Sequence, residues 1–195
     1  MTTLETLKKS LADLNPLGLQ ETDYRTRGCH LVLQVAPEAL VDAVGLLDRE
    51  GFFIEAVTGV DWLGEKAALA KEREKARAEA AKKAAENAEA GAGEEAIANL
   101  QPPEEVQPPE STVDDLEAVY DFNHYRRLLR VVIHVRVPRD NPEIPTISGI
   151  FPGANWHERE THDFFGIRFL GHPDLSPLLL PEDADFHPLL KDFHV

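Results

Sequence analysis

Apolar residues recur at strand and helix spacing in the first third of the chain. The stretch HLVLQVA, residues 30–36, is a short apolar run in which Leu31, Leu33 and Val35 share one face, which predicts a short strand. Residues 38–50 carry apolar side chains at helical spacing, and Gly51 follows where helices commonly end. The stretch FFIEAVTGVDW, residues 52–62, is rich in aromatic and β-branched residues and predicts a second strand.

A period of two dominates two later segments. Apolar and polar side chains alternate over residues 116–122 and again over residues 129–137, with the turn-like sequence NHYRR between them. This pattern predicts an antiparallel hairpin with one buried face. Strand, helix, strand and hairpin together indicate an α+β fold, in which a small mixed or antiparallel sheet is covered on one face by helices.

The composition changes abruptly in two places. Residues 65–98 are almost wholly Ala, Glu and Lys, which predicts a helix from Glu65 to about Glu89, and a proline-rich linker follows at 101–112. The last residues are punctuated by prolines, which predicts an extended tail that lies along another surface, either that of its own domain or that of a neighbouring subunit. We therefore divide the chain at 1–62, 63–112, 113–170 and 171–195: the first and third parts form one α+β domain, the second is an insertion, and the fourth is the tail.

The overall charge and the single cysteine exclude several classes of protein. A formal net charge of −15 argues against binding to a phosphate backbone or to an anionic membrane surface. Cys29 alone cannot form an internal disulfide, a four-thiolate zinc site or an iron–sulfur cluster. The N-terminus lacks the apolar core of a secretory signal, and no apolar run is long enough to cross a bilayer. We expect a soluble protein in a reducing compartment.

The stretch HERETHDFFGIRFLGHPD, residues 157–174, concentrates side chains that bind metals or transfer protons. Asn155 and Glu158 have the spacing of a helix N-cap and its N3 glutamate, and Gly166 follows at the expected end, which predicts a helix from Trp156 to Phe165. On that helix Arg159 and Asp163 are four residues apart, which predicts an ion pair.

Three interpretations of this helix are open. Glu158, His162 and His172 could form a metal site, although His157 and His162 lie roughly 140° apart around a helix and cannot share an ion. General acid–base catalysis is formally open, but the chain has no nucleophile motif, no GxGxxG motif and no P-loop. Arginine beside aromatic residues instead indicates a protein–protein contact; the aromatic residues are Trp156, Phe164, Phe165 and Phe169.

The same residues carry a resemblance to a known family. The stretch ANWHERETHDFFGIRFLGHPDL (154–175) and the closing HPLLKDF (187–193) resemble the C subunit of NADH–quinone oxidoreductase, the respiratory complex I family. Residues 130–156 match the same family in order and spacing. The family motif positions in this chain are Trp156, Glu158, Arg159, Glu160, Asp163, Phe165, Gly166, Gly171, His172, Pro173, Asp174, Leu175, Lys191, Asp192 and Phe193.

The resemblance implies a non-catalytic subunit of the hydrophilic arm, peripheral on the cytoplasmic side of the inner membrane, with no cofactor or metal of its own. Its expected partners are the large quinone-site subunit and the small iron–sulfur subunit. NADH, FMN, the iron–sulfur clusters and quinone would belong to other subunits of the complex. The resemblance implies neither nucleic-acid binding nor direct membrane insertion.

Some positions depart from the complex I pattern. Ser176 and Pro177 stand where relatives carry two basic residues, and Leu190 replaces an arginine. PLLLPED (177–183) is more similar to the equivalent subunits of membrane-bound, energy-converting nickel–iron hydrogenases and formate hydrogenlyases. In those assemblies a hydrogenase-like large subunit holds a nickel–iron centre. A third hypothesis is an interaction module in which the Ala/Glu/Lys segment recruits an unrelated partner.

Overall fold

The computed structural model describes residues 3–64, 75 and 114–194. The chain divides into two compact units, residues 1–62 with 115–195 and residues 63–114, and every element below belongs to the first. Its helices are α1 (Leu4–Ala12), α2 (Tyr24–Arg27), α3 (Pro37–Arg49) and α4 (Ala154–Phe165). Its strands are β1 (Gly18–Glu21), β2 (Leu31–Val35), β3 (Phe53–Asp61), β4 (Asp115–His124), β5 (Leu129–Pro138), β6 (Glu143–Pro145) and β7 (Arg168–Leu170).

Five strands form one mixed sheet in the order β1-β2-β5-β4-β3. Strands β2 and β5 are parallel, and all other neighbours in this sheet are antiparallel. Strands β6 and β7 form a separate parallel pair. The α+β class, the mixed sheet and the β4–β5 hairpin are therefore confirmed.

The core lies on one face of the sheet because β4 and β5 alternate as their sequences predict. Tyr120 on β4 is opposite Ile133 on β5, and both are fully buried with their neighbours two residues away. Helix α3 adds Leu40 and Leu47 to this core, and α4 adds Ala154. The other face is polar; there Glu117 accepts a hydrogen bond from the indole N–H of Trp62 at 2.9 Å.

Several elements were not predicted. Helix α1 begins after Thr3, whose hydroxyl accepts a hydrogen bond from the Thr6 N–H, and the helix buries Leu7 and Leu11 against the core. Strands β1, β6 and β7 are only three or four residues long, too short to show a period. The helix predicted for 65–89 and the linker at 101–112 lie outside the described residues. None of the described helices has the length and apolar character needed to cross a bilayer.

Candidate functional site

Helix α4 carries most of the motif residues, and its start differs from the prediction. The N-cap is Gly153, without a side-chain cap, and Asn155 lies inside the helix. The predicted Asn155–Glu158 cap is wrong because the preceding turn already uses the first N–H groups. Those of Ala154 and Asn155 donate to the carbonyls of Phe151 and Pro152. The predicted stop is confirmed: Gly166 has a φ of 73° and its N–H donates to the His162 carbonyl.

Glu158 points into the protein and is completely buried. It accepts a hydrogen bond from the backbone N–H of Ile147 at 2.8 Å and another from the Thr146 hydroxyl. The Thr146 hydroxyl also contacts the Ser148 hydroxyl at 2.8 Å. The first half of α4 is thereby fixed to the turn after β6, through a side chain that the sequence suggested would cap the helix.

Burial dominates the electrostatics around Glu158. It raises the pKa of this carboxyl to about 7, although the Ile147 N–H and the Thr146 hydroxyl favour the charged form. Burial also raises the pKa of Tyr120 well above its usual value, and the nearby Glu158 charge adds to this effect. The Tyr120 hydroxyl is buried and has no hydrogen-bond partner within the described part of the chain.

The two histidines considered for a metal site direct ring nitrogens towards backbone carbonyls. His162 Nδ1 is 2.9 Å from the Ile167 carbonyl, and His172 Nε2 is 3.2 Å from the Asn155 carbonyl. His172 Nε2 also lies 3.8 Å from a Glu158 oxygen, and this is the one approach between the two side chains that the structure shows. No group of three or more His, Cys, Asp or Glu side chains suited to a metal occurs among residues 3–64, 75 and 114–194.

Arg159 holds the start of the C-terminal tail. Its guanidinium donates to the Ser176 carbonyl at 2.9 and 3.1 Å, to the Ser176 hydroxyl at 3.1 Å and to the Pro177 carbonyl at 3.1 Å. Its nearest carboxylate is Asp174, at 3.9 Å. The predicted Arg159–Asp163 ion pair is therefore wrong: the arginine faces backbone carbonyls that lie much farther along the chain.

Asp163 holds the next residues of the tail. One of its oxygens accepts the backbone N–H groups of Leu178 and Leu179 at 2.8 Å, and that of Leu180 at 3.3 Å. Burial opposes the charged form, but these three donors outweigh it and lower the pKa of Asp163. Arg159 and Asp163 thus fix successive carbonyl and N–H groups of the same extended segment.

The tail then returns to the C-terminal end of α4. His187 Nδ1 is 2.8 Å from the Asp163 carbonyl, and its ring lies so close to Gly166 that a Cβ there would be 2.7 Å from it. The Leu189 N–H donates to the Phe164 carbonyl at 3.1 Å. Glycine is thus required at Gly166 both by its positive φ and by the close approach of the His187 ring.

The end of the tail is tied to the end of β3. Asp61, almost fully buried, accepts the Lys191 backbone N–H at 2.8 Å and pairs with Arg139. Arg139 also pairs with Asp192, and the Phe193 ring stacks on Phe186 at 5.5 Å. Sequence reasoning missed Asp61, Arg139 and Thr146, and it placed His187 in the closing motif without its contact to α4, because the partners are distant in sequence and no local spacing signals them.

The other motif residues divide between packing and exposure. Phe165 packs over Gly59, where a Cβ would be 2.3 Å from the ring, and Phe169 lies in the core. Leu175 packs partly against the core, and Gly171 makes a turn with a φ of 82°. In contrast, Trp156 is 66% exposed, and Glu160 and Pro173 also face solvent. The expected cluster of four aromatic residues is thus not one surface.

A cleft of about 680 Å³ opens beside Trp156. Val41, Ile150, Pro152 and Pro173 supply its apolar walls. Farther along the tail, large apolar side chains again face solvent: Leu179 is 61% exposed and Leu189 53%. We call residues 154–194 the α4–tail segment. Internal hydrogen bonds fix its backbone while several of its largest apolar side chains point outward.

Comparison with known proteins gives this arrangement a context. The family described as respiratory-chain NADH dehydrogenase, 30 Kd subunit, matches residues 33–195. The C subunit of NADH-quinone oxidoreductase from Roseiflexus sp. (strain RS-1) is 49% identical over 76 residues, which are 39% of this chain and 44% of that protein. Its counterpart from Mycolicibacterium gilvum (strain PYR-GCK) is 44% identical over 85 residues, 44% of this chain and 38% of the relative. The alignments thus span less than half of these relatives.

Two solved structures share the fold. A trypsin-resistant fragment of Nqo5 has a TM-score of 0.55 at 20% identity and covers 88% of this chain and 98% of the fragment. A chain of the membrane-bound sulfane sulfur reductase, an archaeal respiratory membrane complex, has a TM-score of 0.61 at 18% identity. The match covers 97% of this chain and 85% of that chain. The α+β fold of this chain is thus a known architecture. Because the family match covers most of its length, the chain belongs to the family of the respiratory-chain NADH dehydrogenase 30 Kd subunit.

Proposed function

We propose that the chain is the non-catalytic C subunit, or its counterpart, in the hydrophilic arm of a complex I-type NADH–quinone oxidoreductase. In this role it packs against the large quinone-site subunit and the small iron–sulfur subunit and supports electron transfer coupled to ion translocation. It is peripheral, on the cytoplasmic side of the inner membrane. NADH, FMN, the iron–sulfur clusters and quinone are held by its partners.

The α4–tail segment carries this proposal. Arg159 and Asp163 bind backbone groups of residues 176–180, so contacts within this chain already hold that part of the tail. The exposed side chains of Trp156, Leu179 and Leu189 are then presented without a large ordering cost. Large apolar side chains on a fixed, polar-rimmed frame are typical anchors of a contact between subunits.

The chemistry of the segment supports a structural role over a catalytic one. Glu158, Arg159 and Asp163 each satisfy groups of this chain. His162 and His172 face backbone carbonyls. A metal analysis of the purified chain tests the competing metalloenzyme hypothesis, which requires stoichiometric zinc or iron.

An alternative partner set comes from the tail sequence. Residues 177–183 are more similar to the equivalent subunit of membrane-bound nickel–iron hydrogenases and formate hydrogenlyases, whose large subunit holds a nickel–iron centre. The interface proposed here is the same in both cases. The chains that purify with this protein separate them: an NADH-binding flavoprotein supports the complex I type, and a large subunit with four nickel-binding cysteines supports the hydrogenase type.

The proposal is tested by removing the outward apolar side chains. The triple variant Trp156→Ala, Leu179→Ala and Leu189→Ala should keep the melting temperature of the isolated chain within a few degrees, because these side chains are mostly exposed. Incorporation into the membrane-bound complex, measured by native gel and quantitative mass spectrometry, should fall by about tenfold or more.

Leu17→Ala is the matched control, since Leu17 is 67% exposed and lies outside the α4–tail segment. It should leave incorporation unchanged. Wild-type incorporation of the triple variant would contradict the proposed interface. A second variant lacking residues 65–110 should still assemble, whereas the interaction-module hypothesis requires that it does not.

A further inference from the structure

Arginines without a carboxylate partner are concentrated at one end of the sheet, away from the tail. Ten arginines lie within the described residues, and six of them are within 4 Å of a carboxylate. The four without such a partner in that part of the chain are Arg25, Arg27, Arg49 and Arg126, and all four are in exposed positions. In a chain of net charge −15 this grouping is unexpected.

Backbone contacts bring these arginines to the same end. Helix α2, with Arg25 and Arg27, precedes β2, and the His30 N–H donates to the Arg130 carbonyl at the start of β5. The β4–β5 turn carries Arg126, and helix α3 ends at Arg49. The turn and the end of α3 are joined by the Arg127–Glu50 ion pair at 3.1 Å. We call this end, residues 23–30, 48–55 and 121–130, the arginine end.

Apolar and aromatic side chains accompany the arginines. Tyr125 is 62% exposed, and the Arg126 guanidinium lies 5.6 Å from its ring centre. Leu128 is 77% exposed and has a φ of 50°, a backbone conformation that leucine rarely adopts. Tyr24 is 51% exposed and Phe53 40%. Tyrosine and arginine are enriched at binding hot spots, and Leu128 adds a projecting apolar side chain beside them.

Carboxylates are present at this end but are mostly engaged. Glu50 pairs with Arg127, and Glu55 with Arg130, which is also 3.9 Å from Asp121. The Asp23 side chain caps α2 through the Arg25 N–H. Asp48 is exposed. Over residues 23–30, 48–55 and 121–130, six arginines stand against five carboxylates, so the formal charge of this end is +1, opposite in sign to that of the whole chain.

We propose that the arginine end docks an acidic segment of a second protein subunit, one whose carboxylates meet Arg25, Arg27 and Arg126 and whose apolar residues cover Leu128. Guanidinium groups bind carboxylates with two parallel hydrogen bonds, which suits a protein acid. A nucleic acid or an anionic membrane fits less well, because the large net negative charge of the chain repels an extended polyanion. The contact is separate from the α4–tail segment, whose last residues are tied to the opposite end of β3.

Site-specific crosslinking in the assembled complex tests this surface. A photo-crosslinking amino acid replaces Leu128 in the full chain, expressed in its native host, and the same residue at Leu17 serves as the control. The expected result is a Leu128 crosslink to a peptide of a co-assembled subunit that carries several Asp or Glu residues. A crosslink to lipid, to nucleic acid, to a second copy of this chain or to a peptide without carboxylates would overturn the proposal, as would no crosslink at all.

Charge reversal then tests the chemistry. Arg126→Glu should reduce the Leu128 crosslink by about tenfold, and the triple reversal that includes Arg25 and Arg27 should abolish it. Lys9→Glu, an equal charge change at another exposed position, should have no effect. Replacing the carboxylates of the crosslinked peptide with lysine should restore the yield of the Leu128 crosslink in the Arg126→Glu variant. Failure of this rescue shows that the contact is not made by charge pairing.

Discussion

The two halves of helix α4 each bury one carboxylate, and the two carboxylates behave in opposite ways. Glu158 in the first half has two donors, and burial raises its pKa to about 7. Asp163 in the second half has three backbone N–H donors on one oxygen, and its pKa is lowered despite burial. Burial raises the pKa of both carboxyls, and the net direction depends on how far the donors and charges that face each one oppose it.

This difference gives the two halves separate roles. Glu158 joins α4 to the turn after β6, and it can do so while protonated, because the Thr146 hydroxyl beside it can accept the carboxyl proton and turn its own proton to the Ser148 hydroxyl. Asp163 joins α4 to the tail, and it can do so fully only while charged. The first contact belongs to the domain core, and the second holds the segment that we propose as the contact with other subunits.

The largest expected effect is on the pH dependence of stability at Glu158. Its folded pKa is raised from 4.5 to about 7, so its contribution is complete below pH 4.5 and is lost as the pH rises through 7. A shift of this size corresponds to about 3 kcal/mol. Glu158→Gln, which mimics the protonated carboxyl, should match the wild type near pH 4.5 and be more stable by about that amount at pH 8.

Urea unfolding from pH 4.5 to 8 measures the free energy of unfolding of the wild type and of Glu158→Gln. The difference between the two values cancels the contribution of groups that titrate in the same way in both proteins. Glu160→Gln is the matched control, because Glu160 lies on the exposed side of the same helix. Its stability should follow the wild-type curve. If the Glu158→Gln and wild-type curves run parallel across the whole range, folding does not raise the pKa of Glu158 and the comparison between the two halves is lost.

A smaller effect is expected at Asp163. Asp163→Asn keeps the shape of the side chain but removes the charge that three N–H groups share, which should lower the free energy of unfolding by about 2 kcal/mol at pH 7. Hydrogen exchange should show faster exchange at the amides of 178–180. The wild-type contribution has the opposite sign to that of Glu158: it is lost as the pH falls below the usual aspartate range.

Asp185→Asn is the control for this variant, because Asp185 is an exposed carboxylate of the same tail. It should change neither the stability nor the exchange rates. If Asp163→Asn leaves exchange at 178–180 unchanged, another contact fixes the tail.

The sequence predicted what depends on local spacing and missed what depends on distant partners. The period of two in β4 and β5 identified their buried face, because alternation along a strand is set by the backbone itself. The spacing of Arg159 and Asp163 suggested an ion pair, yet the backbone groups of the tail compete for both side chains. Those groups lie 15 to 18 residues away from their partners, where no helical spacing applies.

The same reasoning explains Glu158. A glutamate three residues after an asparagine fits a capping pattern, but the donors in the turn at 146–147 could not be inferred from it. The parallel pairing of β2 with β5 is also a long-range choice, made across almost one hundred residues of chain. The alternation of apolar and polar residues in β4 and β5 could therefore predict the sheet and its core. The hydrogen bonds that hold the tail against α4 became visible only in the three-dimensional structure.

The smallest expected effect is at Arg159 and tests whether the two tail contacts act together. Arg159→Lys keeps the charge but loses the fork that reaches Ser176 and Pro177, which should cost about 1 kcal/mol at pH 7. Arg168→Lys, on an exposed ion pair, should cost less than half as much. Because Arg159 and Asp163 hold the same segment, the combined Arg159→Lys and Asp163→Asn variant should lose less than the sum of the two single changes. Strict additivity in urea unfolding would show that Arg159 and Asp163 hold the tail independently of each other.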